Sequence, residues 1–164
     1  MILPSVLVTD TNIWIDLAKG KVLSEVFRLP YEFLTTDFAV DELKNPCWSA
    51  LHALGLEVQC LDPEGILELA RLRQIHRSLS AVDLAAFLLA RQLGATLVTG
   101  DRRLNDLASA HGVPVHGILW ILDEMVSLRV LTPCRAAESL RRMLELGARL
   151  PEGECRKRFE NWST

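Results

Sequence analysis

The stretch Val6-Leu7-Val8-Thr9-Asp10-Thr11-Asn12 decides the fold. An apolar run stops abruptly at an acid, and a polar turn comes next. Ser5–Thr9 reads as a short buried strand. Asp10-Thr11-Asn12 reads as a turn that can also cap a helix. Ile13–Ala18 continues as that short helix, which Gly20 can end in a left-handed conformation. The same grammar returns at Ala95-Thr96-Leu97-Val98-Thr99-Gly100-Asp101. If both runs are parallel strands, Asp10 and Asp101 both stand at carboxyl ends, where open α/β sheets bind ligands.

The rest of the chain fits around these two runs. Val22–Leu29 predicts a second short helix before Pro30, and Phe33-Leu34-Thr35-Thr36 a strand. Asp37 can cap the next helix, with Asp41 and Glu42 in its early turns and Pro46 at its end. Cys47–Leu54 is ambiguous. Leu56–Leu61 alternates with period 2 and predicts an edge strand. Asp62-Pro63 opens a helix with proline at its first position. Ser80-Ala81-Val82-Asp83 opens another, apolar over most of its circumference and closed by Gly94, so it belongs deep in the domain. Leu104–Ala110 is a helix, and Val113-Pro114-Val115 a short edge strand, because proline cannot donate to a central ladder. Gly117–Leu128 and Cys134–Leu146 are amphipathic helices, and Pro151 begins a polar tail with room for a last short helix. Strands alternating with helices predict an α/β fold: a short, mostly parallel sheet of four or five strands with helices on both faces.

Each acid alone has a plain structural use. Asp10 and Asp101 can be helix caps, Asp83 stands three residues after Ser80 in the capping-box position, and Glu42 can simply face water. Their topology adds something. Asp10 and Asp101 share one sheet edge. The helix that Asp83 opens feeds the second of these strands through a right-handed crossover, so its amino end lies at that edge too. Glu42 comes after a third strand at the same edge. Four converging carboxylates repel one another unless a cation neutralises them. Oxygen donors without Cys or His suit Mg²⁺ or Mn²⁺. Such ions activate water and stabilise the leaving oxygen of a phosphodiester. Asn12 could orient Asp10 or a bound water, Thr99 could hydrogen-bond a carboxylate, and Asp106 is a further candidate ligand or an exposed first-turn acid. Arg102 and Arg103 flank the crevice, as phosphate contacts or as solvated helix-start residues.

Totals bound the function. With 164 residues, 49% hydrophobic and 24% charged, the chain makes one domain with a sizeable core. The net charge of −3 argues against non-specific nucleic-acid binding by bulk charge, but not against a nuclease whose metals supply positive charge locally. The charge is uneven: residues 1–128 hold 10 Lys/Arg against 16 Asp/Glu, and residues 129–164 hold 8 against 5. Arg135, Arg141, Arg142, Arg149, Arg156, Lys157 and Arg158 make that tail either a solvated helical face or a phosphate-contacting surface. The four cysteines, at 47, 60, 134 and 155, have no zinc spacing and read as buried or incidental thiols in a reducing cytosol. Met1-Ile2-Leu3-Pro4 lacks a signal-peptide pattern, and no run is long enough to span a membrane, so the expected location is cytoplasmic. No Walker loop, Gly-x-Gly-x-x-Gly, Gly-x-Ser-x-Gly or Cys/His constellation is present.

Asp10-Thr11-Asn12 after a first strand, Glu42 in a helix, Asp83 opening a helix and Thr99-Gly100-Asp101 after a later strand resemble the PIN domain, over roughly residues 5–130. Leu79–Leu107, with Gly112–Leu131 after it, is similar to the small PIN proteins that act as VapC-like toxins. The resemblance implies a three-layer sandwich over residues 1–131, with residues 132–164 as a helical C-terminal extension packed on it. It implies a Mg²⁺- or Mn²⁺-dependent endoribonuclease, with Asp10, Glu42, Asp83 and Asp101 as catalytic and metal-holding acids and RNA as substrate. It also implies a homodimer and, in the toxin branch, an antitoxin. The family often places a further acid about three residues after the last one; here Leu104 stands there. A non-catalytic binding module on the same fold is the alternative. A structure-specific DNA nuclease would need a larger basic apparatus than this chain has.

Overall fold

A computed structural model describes residues 5–163; the Met1–Pro4 stretch weighed as a signal peptide lies outside them. In chain order the elements are β1 (Ser5–Thr9), α1 (Thr11–Lys19), α2 (Leu23–Val26), β2 (Tyr31–Thr35), α3 (Asp37–Val40), α4 (Trp48–Leu54), β3 (Glu57–Val58), α5 (Pro63–Ile75), α6 (Ala81–Leu93), β4 (Thr96–Val98), α7 (Arg102–Ala110), β5 (Val115–His116), α8 (Ile118–Ser127), α9 (Pro133–Glu145) and α10 (Glu152–Trp162). The sheet order is β3-β2-β1-β4-β5, and every pairing is parallel. The order reverses direction beside β1, at its contact with β4. Crevices in such sheets open outside the carboxyl ends at this switch point.

The sheet separates two cores because neighbouring strand residues point to opposite faces. Leu7, Phe33 and Val98 face one cluster, built with α1, α2, α4, α8, α9 and α10. Val8, Leu34 and Leu97 face the other, built with α5, α6 and α7. In the first, Trp14 stacks on Phe27 at 5.2 Å and meets Phe33 edge-on at 5.7 Å. In the second, Leu84 through Ala90 of α6 are all buried, as an apolar circumference requires. The C-terminal helices share the first core through Ala136, Leu140, Met143, Cys155 and Trp162. Gly20 lets α9 come close: a Cβ there would meet Met143 Cε at 2.4 Å.

Several local expectations are corrected. Gly20 ends α1 at φ −75°, in the right-handed region. The left-handed residue is the next one, Lys21, at φ 57°. Close packing against α9, rather than backbone freedom, is what Gly20 supplies. The helix after β2 is a single turn capped by the backbone of Thr36, and Asp37 is its first residue. Glu42 therefore lies in the next turn of the chain, not in a helix. The Glu42 and Leu43 N–H groups still bond back to Ala39, but the helix itself ends at Val40, well before Pro46. Leu56–Leu61 shrinks to the two residues of β3, because the Leu56 N–H bonds back to Leu51 of α4. The ambiguous Cys47–Leu54 is helix. The last edge strand lies one or two residues later than the Val113–Val115 pattern, since the Val113 N–H closes α7 on Ala108. Gly94 does close α6 in the left-handed region, at φ 62°. Cys47, Cys60 and Cys134 are exposed, Cys155 is buried, and all four are free thiols.

Candidate functional site

Asp10 succeeds β1 directly, and its N–H donates to Val98 O of β4 at 2.9 Å, which pins the acid to the switch point. Asp10 is only 4% exposed. Thr99 Oγ1 donates to Asp10 Oδ2 at 2.9 Å and accepts from the Asp101 N–H at 3.1 Å. One buried hydroxyl thus couples the ends of β1 and β4. Burial pushes the Asp10 carboxyl up from its ordinary 3.8 to about 6; the Thr99 and Thr11 hydrogen bonds pull it down, and the charges of Asp83 and Asp101 push it up further. The charges of Asp83 and Asp101 thus act on Asp10, Asp83 more than Asp101 and both less than burial.

Asp83 is held at the amino end of α6. Ser80 Oγ accepts from the Asp83 N–H at 3.1 Å, and Asp83 Oδ2 accepts from the Ser80 N–H at 2.9 Å. Asp101 caps α7, its Oδ1 accepting from Leu104 N–H at 3.0 Å. Asp83 and Asp101 each give one oxygen to a helix start, and among the described residues Asp83 Oδ1 and Asp101 Oδ2 carry no hydrogen bond. Glu42 approaches from the β2 side. It is exposed and accepts from Thr11 Oγ1 at 3.4 Å rather than touching an aspartate. Among the described residues no three His, Cys, Asp or Glu side chains stand ready-made as a ligand set. The donors that Asp10, Asp83 and Asp101 offer are carboxylate oxygens, the chemistry a hard divalent cation takes.

Asn12 is exposed on the wall of a cleft of about 520 Å³ and has no hydrogen bond to Asp10. Arg102 and Arg103 line the same cleft, beside Asp101. Asp106 is exposed on α7 and is not among the charges that act on Asp10. Sequence reading missed two participants. Thr11 is the link to Glu42, and its only signal was adjacency to Asp10. Arg149, in the connection between α9 and α10, reaches the cleft from 48 positions after Asp101. No local pattern could announce it.

No helix among the described residues is long and apolar enough to cross a membrane. A comparison with curated proteins returned no match. Among solved structures, the chain is similar to a PilT N-terminus domain protein from the hyperthermophilic archaeon Sulfolobus solfataricus P2, with 17% identity and a TM-score of 0.48 over 72% of this chain and 91% of that one. Residues 6–164 match the family described as "DUF3368: PIN domain". With acids gathered at the carboxyl edge of an all-parallel sheet and the match running through nearly the whole length, the chain belongs to the PIN-domain family, a fold typical of metal-dependent nucleases.

Proposed function

We propose that the protein is a Mg²⁺- or Mn²⁺-dependent endoribonuclease that hydrolyses RNA phosphodiesters. The observation that carries this reading is a buried Asp10 at the switch point, bonded to Thr99 beside Asp101; burial above all makes its carboxylate costly to ionise, and the charges of Asp83 and Asp101 add to that. A buried anion beside two others is stabilised most directly by a cation. Asp10, Asp83 and Asp101 would hold the metal, with Glu42 at the rim. When bound, the metal would polarise the phosphate and lower the pKa of the attacking water. Thr99 orients Asp10 and ties the Asp101 backbone to it. Residues 132–164 are assigned as an extension packed on a nuclease domain of residues 1–131. The biological role that goes with this reading is the toxin of a toxin–antitoxin pair, acting as a homodimer and held by an antitoxin.

The test is cleavage of a labelled RNA by wild type, Asp101→Asn and Asp83→Asn, with and without EDTA. Each variant should lose at least about 100-fold of the rate while its circular dichroism stays unchanged, and EDTA should stop the wild type. Unchanged cleavage by Asp101→Asn refutes the assignment. The helix caps made by Asp83 and Asp101 favour a second reading, a non-catalytic binding module whose acids are structural. Titration calorimetry with Mn²⁺ separates the two: heat that disappears in Asp10→Asn supports the nuclease, and no heat in the wild type supports the module.

A further inference from the structure

We propose that the α9–α10 connection, through Arg149, completes a binding path for a single-stranded polynucleotide across Asp101. Phosphates would lie on Arg102, Arg103 and Arg149, and bases against an apolar wall that includes Trp120 and Leu150. The inference rests on the reading of the acids as a nuclease centre and adds which strands reach it and how.

Two clefts meet at Asp101. The one of about 520 Å³ is charged, with Lys19, Arg102, Arg103 and Arg149 in its walls. The other, about 430 Å³, shares Asp101, Arg102 and Arg149 and continues along Trp120, Leu150 and their apolar neighbours, with Asn105 and the Glu154–Arg158 pair also in its lining. A single strand offers both phosphates and open base faces, and a path with one charged and one apolar arm matches both. A duplex hides its base faces and leaves the apolar arm without a function.

Four of the tail cations are ion-paired, whereas Arg129, Arg142 and Arg149 have no ion pair among the described residues; of these three, Arg149 is the one that lines the cleft. Arg135 pairs with Glu138 at 3.5 Å, Arg156 with Glu152 at 3.1 Å, Lys157 with Glu154 at 3.0 Å and Arg158 with Asp123 at 2.7 Å. Arg141 lies over the Phe159 ring at 5.7 Å. In the cleft, Lys19 bonds Asp16 at 3.3 Å. Arg102, Arg103 and Arg149 have no ion pair or hydrogen bond among the described residues. All three are exposed and line the same cleft, which Asp16 and Asp101 also line. Arg149 is also held there. Gly147 turns the chain at φ 94°, a conformation that favours glycine, and Leu150 packs on the core. Trp120 is half-buried and fixed by His116, stacked at 4.0 Å, and by Tyr31 at 5.6 Å.

The experiment is fluorescence anisotropy of a labelled mixed-sequence 12-nucleotide RNA, its DNA counterpart and the corresponding RNA duplex, with the full chain in EDTA so that binding is read without cleavage. Arg149→Ala should weaken single-strand binding about five-fold or more, Arg149→Glu should weaken it further, and Arg149→Lys should keep most of it. The salt dependence of log K should lose about 0.7 in slope for each phosphate contact removed. Tighter binding of the RNA strand than of the DNA strand assigns the path to RNA, and the reverse assigns it to DNA. Binding by Arg149→Ala equal to wild type, or a duplex bound as well as a single strand, overturns the proposal. The nuclease reading fails separately, through cleavage that survives Asp101→Asn, and in that event Arg149-dependent binding would still stand.

Discussion

Asp10→Asn should make the protein more stable above neutral pH while removing its activity. Asp10 is buried and its carboxyl is raised from 3.8 to about 6, first of all by desolvation. At pH 7 and above the folded protein must carry a carboxylate that the unfolded chain carries more easily. The difference amounts to about 3 kcal/mol, at about 1.4 kcal/mol for each tenfold change in proton affinity. Asparagine has the same shape, its carbonyl can still accept the Thr99 hydroxyl, and no side-chain cap bond is lost because Asp10 makes none to α1. Proton binding sets the sign. Between pH 3.8 and about 6 the folded wild type holds a proton that the unfolded chain has lost, so its stability falls as pH rises through this window and stays low above it. The variant has no such loss. Thermal melting in EDTA should therefore place Asp10→Asn roughly 6–12 °C above wild type at pH 8, taking about 2–4 °C per kcal/mol. The gap should close as pH falls toward 4. Mn²⁺ should raise the wild-type melting temperature and leave the variant's unchanged. A variant no more stable than wild type at pH 8, or a gap independent of pH, would refute the account of Asp10 as a strained buried anion.

Two further outcomes are expected. Thr99→Val removes the hydrogen bond that favours the Asp10 carboxylate, so the Asp10 pKa moves up, and the acid limb of the cleavage–pH profile should shift to higher pH; an unmoved limb would show that Thr99 does not tune Asp10. Ser80→Ala deletes one half of the capping box and should cost about 1 kcal/mol in urea unfolding. It should also lower the cleavage rate by loosening Asp83, and full activity at reduced stability would make the cap purely structural.

Much of the scaffold is legible because it repeats a local rule. The runs at Val6–Thr9 and Ala95–Val98 are short, apolar and closed by polar turns, so each is a strand wherever it sits. The apolar girth of Leu84–Ala90 and the Ser80/Asp83 spacing mark a buried, capped helix from composition alone. Glu42 is misplaced by local pattern because the acid-rich run from Asp37 looks like a helix start, whereas the helix ends after one turn, at Val40. Gly20 suggests a backbone role when its reason is the approach of Met143, more than a hundred residues away. A contact of that kind leaves no local signature.

The sequence by itself determined that strands alternate with helices, that Asp10 and Asp101 end strands and that Asp83 opens a helix. These come from periodicity and capping, which act over a few residues. Only the tertiary structure decided that β1 and β4 are neighbours at the switch point, that Thr99 bonds Asp10 across that seam, and that Arg149 lines the cleft of Asp101 without an ion pair while Arg135, Arg156, Lys157 and Arg158 are paired. Burial and charge compensation depend on which distant side chains meet, and that is settled when the two cores close on the sheet.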